Sequence, residues 1–132
     1  MRPIGPEIAP GVMAVKFIKD PSDPTWDNDP GMREYRAFMK QYRPGGDPSD
    51  LDNAYAYTAA QLMVHVLRQC GDDLTRENLL RQALSVKNPD LPLLLPGIRM
   101  NTSPTRRAPI DQFQVVRFDG EHWVAVGGII GD

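Results

Sequence analysis

The stretch DLDNAYAYTAAQLMVHVLRQCG (residues 50–71) decides how this sequence folds. Apolar and small residues recur in it every three to four positions, from Leu51 to Val66, which is the spacing of one face of an α-helix. Gly71 follows as the expected C-terminal cap, because glycine enters the left-handed conformation at little cost. The sequence therefore predicts a long helix over residues 50–70.

A second helix is predicted just before this one, over residues 30–43. Asp29 is placed to cap its first turn, and Pro30 stands at the first helical position, where a missing N–H costs nothing. The sequence RPGG ends the apolar pattern, so the two helices are joined by a short loop.

A third helix is predicted over residues 75–86, after the long one. Thr75 is its expected N-cap, and Leu74 and Leu79 occupy the two positions of a hydrophobic staple. The buried stripe of this helix is expected to consist of Leu80, Ala83 and Leu84.

β-Structure is predicted at both ends of the chain. Residues 11–18, GVMAVKFI, form a largely apolar run typical of a short buried strand, and residues 19–29 follow as a proline-rich crossover. Residues 112–118 and 121–128 flank Asp119-Gly120, a dipeptide that favours a two-residue hairpin turn.

With such a turn, Val116 lies opposite Trp123 and Phe118 opposite Glu121. Val116, Phe118 and Trp123 then form the buried face of the hairpin. The three prolines of NPDLPLLLPGI (residues 88–98) exclude a regular helix and predict an extended segment that is held against apolar surface.

Composition excludes several functions. The 132 residues include 15 basic and 17 acidic side chains, so there is no basic field to attract nucleic acid. Residues 1–17 lack the apolar run of a signal peptide or membrane anchor, and no later window is apolar enough to span a bilayer. The single cysteine, Cys70, excludes an internal disulfide and is expected to be an inert packing residue.

Residue types that carry chemistry are few and scattered. His65 and His122 each lack a partner at metal-ligand or catalytic spacing, and we expect no enzymatic role. Arg106 and Arg107 form a basic pair that is more typical of a surface turn than of an anion site. A calcium site is one interpretation of four aspartates, but turns and a helix cap explain their spacing better. These aspartates are Asp20, Asp23, Asp27 and Asp29.

Four strings together carry a resemblance to a known family, in the family's order and spacing. They are KDPSDPTWDNDPGMREYRAFMKQYRPGGDPSD (19–50), NAYAYTAAQLMVHVLRQCGDDLTRENLLRQA (53–83), LLPGIRMNTSPT (94–105) and PIDQFQVVRFDGEHW (109–123). The chain resembles the C-terminal third of a type I periplasmic solute-binding protein, the leucine/isoleucine/valine type of ABC importer receptor. The resemblance implies an α/β fold, here a single partial domain with three helices, a buried strand and a C-terminal hairpin.

The resemblance also implies a function, a site and partners. The solute would be an amino acid or an aromatic carboxylate, the partner an ABC permease, the location the periplasm, and no cofactor or metal is implied. Asp52 would contact the solute, with Asn53 beside it and Asp20 as a weaker candidate. Capping and turn hydrogen bonds are the alternative role for all three residues.

The chain departs from the family pattern at two places, a pair of residues and a single residue. Arg106 and Arg107 stand where relatives often carry an acidic-aromatic pair, and Ala56 stands where they often have glycine. Because a lone strand leaves its edges open, the alternative function is a stand-alone remnant or a sensor module of the same fold, which self-associates through an exposed strand edge and has no transport role.

Overall fold

The computed structural model describes residues 9–131. The expectation of no signal peptide falls partly on residues 1–8, which lie outside this range. Three helices and three strands follow one another along the described chain. They are β1 (Met13–Lys16), α1 (Pro30–Tyr42), α2 (Leu51–Cys70), α3 (Arg76–Ala83), β2 (Phe113–Phe118) and β3 (Trp123–Ile130), with a 3-10 turn at Pro24–Trp26.

The strands form one antiparallel sheet in the order β1-β2-β3. The prediction of a buried strand over residues 11–18 is therefore wrong in two respects. The strand β1 has only four residues, and it lies at the edge of the sheet. Met13 and Val15 are 59% and 56% exposed, since their side chains point to the face of the sheet that the helices do not cover. After β1 the chain leaves the sheet, and the Lys19 N–H donates to the Leu93 carbonyl at 2.8 Å.

The terminal hairpin is present, with a register that differs from the expected one. Phe118 pairs with Trp123 and Val116 with Ala125, so the loop has four residues instead of two. The Asp119 carboxylate causes this difference, because it accepts the N–H groups of two loop residues, Glu121 and His122, each at 2.8 Å.

The predicted buried face of the hairpin is nevertheless correct for β2. Val116 and Phe118 are 4% and 8% exposed, while Trp123 is half-buried against Phe118 at a ring-centroid distance of 5.4 Å. A shift of two residues along β3 keeps the same side chains on the same face, because strand side chains alternate with a period of two.

Local capping signals set the ends of α1 and α2. The Asp29 carboxylate accepts the Met32 N–H at 2.9 Å, which confirms the predicted cap of α1. Asp50 caps α2 in the same way, so that helix begins one residue later than predicted, and Gly71 ends it at φ +58°. Among the described helices, none is long and apolar enough to cross a membrane.

The third helix is shorter than predicted and is exposed where burial was expected. Leu74 and Leu80 are 65% and 57% exposed, so the expected staple and buried stripe are wrong at both positions. The residue that α3 buries is polar: Asn78 Nδ2 donates to the carbonyls of Cys70 (3.2 Å) and Asp73 (2.7 Å). The helix ends at Ala83, whose carbonyl accepts the Thr102 hydroxyl at 2.7 Å.

The core lies between α1, α2 and the proline-rich segment. Leu93 is 1% exposed in that segment, and Leu91 and Ile98 are 6% exposed, which confirms that the segment is held against apolar surface. The Tyr35 and Tyr57 rings meet edge to face at 5.3 Å and join α1 to α2. The central cluster consists of Ile18, Met32, Tyr35, Met39, Ala54, Tyr57 and Leu93.

Candidate functional site

Two of the three predicted site residues lie on the first turn of α2. Asp50 caps this turn by accepting the Asp52 N–H at 2.9 Å, so the Asp52 carboxylate extends into solvent beside the positive end of the helix. Asn53 is half-buried and donates its amide to the Asp47 carbonyl at 2.9 Å, which closes the preceding loop. The turn thus offers one exposed carboxylate and one amide oxygen to a ligand.

The third predicted residue, Asp20, lies in a separate polar cavity. Its carboxylate accepts Lys16 Nζ at 2.7 Å and both the hydroxyl and the N–H of Ser22. Burial alone would raise the pKa of Asp20, but these hydrogen bonds outweigh burial and hold the pKa below its usual value. The cavity has a volume of about 170 Å³, and neither Asp52 nor Asn53 lines it.

An aromatic cluster at the start of α2 was not predicted. The Phe17 ring packs edge to face on Tyr55 at 5.0 Å and near Phe113 at 6.2 Å, so it links the residue after β1 to α2 and β2. Burial raises the pKa of the Tyr55 hydroxyl. Tyr55 stands three residues after Asp52, on the same side of the helix, and this spacing was the sequence signal for the cluster. A carboxylate and an apolar aromatic surface therefore adjoin at the start of α2.

The aspartates of the crossover serve the local structure. Asp23 caps the 3-10 turn, Asp27 pairs with Arg36 at 2.9 Å, and Asp29 caps α1. These contacts confirm the turn and cap roles predicted for this stretch. Within residues 9–131, no group of three or more His, Cys, Asp or Glu side chains is placed to hold a metal ion.

His122 lies on the terminal hairpin, whereas His65 and Cys70 both lie on α2. His122 is exposed in the hairpin loop, where its Nδ1 lies 4.0 Å from a Glu121 carboxylate oxygen. His65 is half-buried on α2, and Cys70 is buried at the end of the same helix, as a packing residue would be. The hydroxyl of the fully buried Tyr35 and the Nε2 atom of His65 have no hydrogen-bond partner among the described residues.

The helices also border two larger cavities. One, of about 550 Å³, lies between α1 and α2, where Tyr57 accepts Gln61 Nε2 at 2.7 Å and donates to Glu34 at 3.3 Å. The other, of about 590 Å³, lies between α2 and α3 and is almost wholly apolar. Arg107 borders the second cavity, while its neighbour Arg106 forms an ion pair with Asp111.

Comparison with known proteins identifies the fold. No family model matches the chain, and no curated protein matches it in sequence. Among solved structures, it is similar to a branched chain amino acid ABC transporter from Thermus thermophilus with bound valine, with a TM-score of 0.73 and 15% sequence identity. The match covers 97% of this chain and 37% of that protein, so the chain spans little more than a third of its length.

This similarity confirms the predicted fold class. The three helices and the three-stranded antiparallel sheet form an α/β unit that matches a fragment of a periplasmic-binding-protein fold. At 15% identity the similarity concerns the backbone arrangement alone. The roles of the site residues in this chain therefore rest on their own contacts.

Proposed function

We propose that this chain forms one wall of the solute site of an ABC importer receptor, with a branched-chain amino acid or a related small carboxylate such as an aromatic acid as the solute. The observation that carries the proposal is the superposition of 97% of the chain on a transporter protein with bound valine. In this proposal, the intact receptor works in the periplasm, closes two lobes on the solute by hinge motion and docks on an ABC permease.

The start of α2 supplies the chemistry that such a wall needs. Asp52 presents an exposed carboxylate to the ammonium group of an amino acid, and the helix N-terminus favours a carboxylate or polar group near Asn53. The rings of Tyr55 and Phe17 offer an apolar surface to an aliphatic or aromatic side chain. Asp20 is already neutralised by Lys16, so we assign it the weaker role.

A single wall gives weak binding, because a small-molecule site normally surrounds most of its ligand. We expect valine and benzoate to shift the amide NMR signals of Asp52, Asn53 and Tyr55 only at millimolar concentrations. Asp52→Ala should weaken the response to valine several-fold. The matched control is Glu77→Ala, which removes an acidic side chain from the first turn of α3. This variant should leave the NMR response to valine unchanged.

Two results would contradict the proposal. If 50 mM valine and 50 mM benzoate left the α2 amide signals unmoved, these residues would not form a solute wall. Micromolar affinity measured by calorimetry would show a complete site, contrary to the single wall. We also infer that the chain has no catalytic role, because within residues 9–131 no three His, Cys, Asp or Glu side chains are grouped, and His122 lies on the hairpin loop away from α2, which carries His65 and Cys70.

The open sheet edge favours a second candidate function, a self-associating remnant without a transport role. β1 is an edge strand of only four residues, and its side chains Met13 and Val15 are more than half exposed. Edge strands pair readily with other chains unless they are covered. Strand-edge pairing would extend the sheet across two copies. Val15→Glu places a charge on the edge strand and should weaken such self-association, measured by analytical ultracentrifugation; an unchanged sedimentation profile of a dimer would contradict pairing through β1.

A further inference from the structure

The cavity of about 590 Å³ between α2 and α3 is a groove with two matching walls. The α2 wall runs from Ala59 to Val66 and takes positions i, i+3, i+4 and i+7, which share one face of a helix. The α3 wall has the same spacing and runs from Arg76 to Ala83. Each wall rises by about 10 Å along its helix, so the groove is long enough to hold a short chain-like molecule.

The groove leaves large apolar side chains in contact with water. Met63 on the α2 wall is 50% exposed and Leu80 on the α3 wall is 57% exposed. Val86, which is buried, also lines the groove. A volume between about 300 and 1,000 Å³ with a mostly apolar lining and a few polar groups is typical of small-molecule sites. The apolar part of a ligand would therefore gain affinity by covering these side chains.

Two arginines border the groove, and they belong to its opposite ends. Arg76 is the first residue of α3, whereas Ala83 is the last. The Ala83 carbonyl accepts the Thr102 hydroxyl at 2.7 Å, and this contact brings the loop that carries Arg107 to the second end. Arg107, Thr102 and Pro109 all line the groove there.

The charges of these two arginines are not balanced inside the groove. Neither Arg76 nor Arg107 forms an ion pair with another residue in the range 9–131, and no Asp or Glu from that range lines the groove. An apolar middle with a positive group towards each end complements an apolar molecule that carries an anionic group at each end.

We propose that this groove binds a medium-chain α,ω-dicarboxylate, with the hydrocarbon chain between the two walls and one carboxylate at each of Arg76 and Arg107. An extended chain of ten carbons is about 11 Å long, close to the rise of the walls. Arginine suits both ends, because its planar guanidinium pairs with a carboxylate through two hydrogen bonds. For a ligand of this size in an open groove, we expect a dissociation constant on the order of 100 µM.

Calorimetry with decanedioate tests the charge requirement. Arg76→Gln and Arg107→Gln should each weaken binding of decanedioate about three- to five-fold, whereas decanoate should respond to only one of the two substitutions. Arg117→Gln is the matched control, because Arg117 is an exposed arginine on β2 that does not line the groove. The neutral 1,10-decanediol should bind more weakly than decanedioate. Hexanedioate, which is shorter than the groove, should bind at least ten-fold more weakly.

Filling the groove tests its position. Ala59→Phe places a ring in the groove and should abolish binding of decanedioate. Ala60→Phe is the matched control, because it places the same ring at the next residue, which borders the cavity beside α1 instead. Both alanines are exposed, and circular dichroism checks that each variant is folded.

Methyl NMR of the full chain identifies the occupant. Decanedioate at 5 mM should shift the methyl signals of Leu62, Leu79 and Leu80, which line the groove. The proposal would be overturned by unmoved methyl signals, by equal affinity for decanediol and decanedioate, or by binding that is lost in Ala60→Phe instead of Ala59→Phe. The competing occupant is a second copy of the chain. Methyl signals that shift on dilution from 500 to 20 µM without ligand would assign the groove to that copy and would also overturn the proposal.

This site is separate from the solute wall at the start of α2. Decanedioate should therefore leave the amide signals of Asp52, Asn53 and Tyr55 in place while it shifts the leucine methyl signals. Movement of the α2 amide signals alone would place the dicarboxylate on the solute wall and overturn the assignment to the groove. Failure of the valine titration would leave the groove unaffected, because it shares no residue with that wall.

Discussion

Asp29→Asn should destabilise the protein by removing one charge from a buried junction. Lys19 is 7% exposed, and its ammonium group lies 2.7 Å from the Asp29 carboxylate and 2.7 Å from the Pro92 carbonyl, with the Trp26 ring at 5.4 Å. One lysine therefore joins the end of the β1 segment, the start of α1 and the proline-rich segment. Asparagine caps a helix as well as aspartate does, so this substitution leaves the cap and removes the counter-ion.

The expected loss is about 2 kcal/mol in the free energy of unfolding. Breaking a fully buried ion pair from one side costs roughly 3–5 kcal/mol, because a charge is left without a partner. Here the cost is smaller, because the Asp29 side chain is 19% exposed and Lys19 keeps its bond to Pro92. Asp29→Ala should cost about 1 kcal/mol more, since alanine also removes the cap.

Urea unfolding followed by circular dichroism at pH 7 measures both losses. A double variant, Asp29→Asn with Lys19→Met, provides the control, because it removes the unpaired ammonium group and should recover most of the lost stability. If Asp29→Asn changed the free energy of unfolding by less than about 0.5 kcal/mol, the junction would contribute no more than a surface ion pair. A double variant no more stable than Asp29→Asn would exclude the unpaired lysine as the cause.

Three further predictions concern the same core. Tyr35→Phe should raise the free energy of unfolding by about 1 kcal/mol, measured in urea, because the buried Tyr35 hydroxyl has no partner among the described residues. Gly31→Ala should lower the melting temperature, with a loss of about 2 kcal/mol, because the new Cβ would lie 2.4 Å from Pro92 Cβ; an unchanged melting curve would contradict this contact. Burial would raise the pKa values of Asp20 and Asp29, but their hydrogen bonds hold both below the usual range. Stability from these groups should be complete above about pH 4 and decline as the pH falls through the folded-state pKa values, and Asp29→Asn should reduce the decline seen in acid unfolding.

The parts of the fold that depend on neighbouring residues were predictable from the sequence. The N-caps of α1 and α3 each depend on one side chain and the adjacent backbone, and the end of α2 depends on the backbone freedom of one glycine. Asp29, Thr75 and Gly71 therefore predicted them correctly. The hairpin register was missed although it is local, because the Asp119 carboxylate binds two N–H groups and lengthens the loop.

Features that depend on distant contacts were harder to predict. The run at residues 11–18 suggests a buried strand, and nothing in it shows that the strand it pairs with, β2, lies about a hundred residues further on. Leu80 was expected in the core because it follows other apolar residues at helical spacing, but the residue that α3 buries is Asn78. The aromatic cluster at the start of α2 forms only where three segments meet, so the family resemblance implied the neighbouring residues Asp52 and Asn53 but not the cluster.

The way in which α3 is attached has a consequence for motion. Its anchors are hydrogen bonds from Asn78 and Thr102 to backbone carbonyls, and it has only eight residues beside an open apolar cavity. A helix that buries so little apolar surface can detach at a small cost in free energy while the core of α1, α2 and the proline-rich segment stays closed. Its backbone amides should therefore exchange with deuterium through local opening, well before those of α1, and the cavity beside it would widen and narrow with each opening.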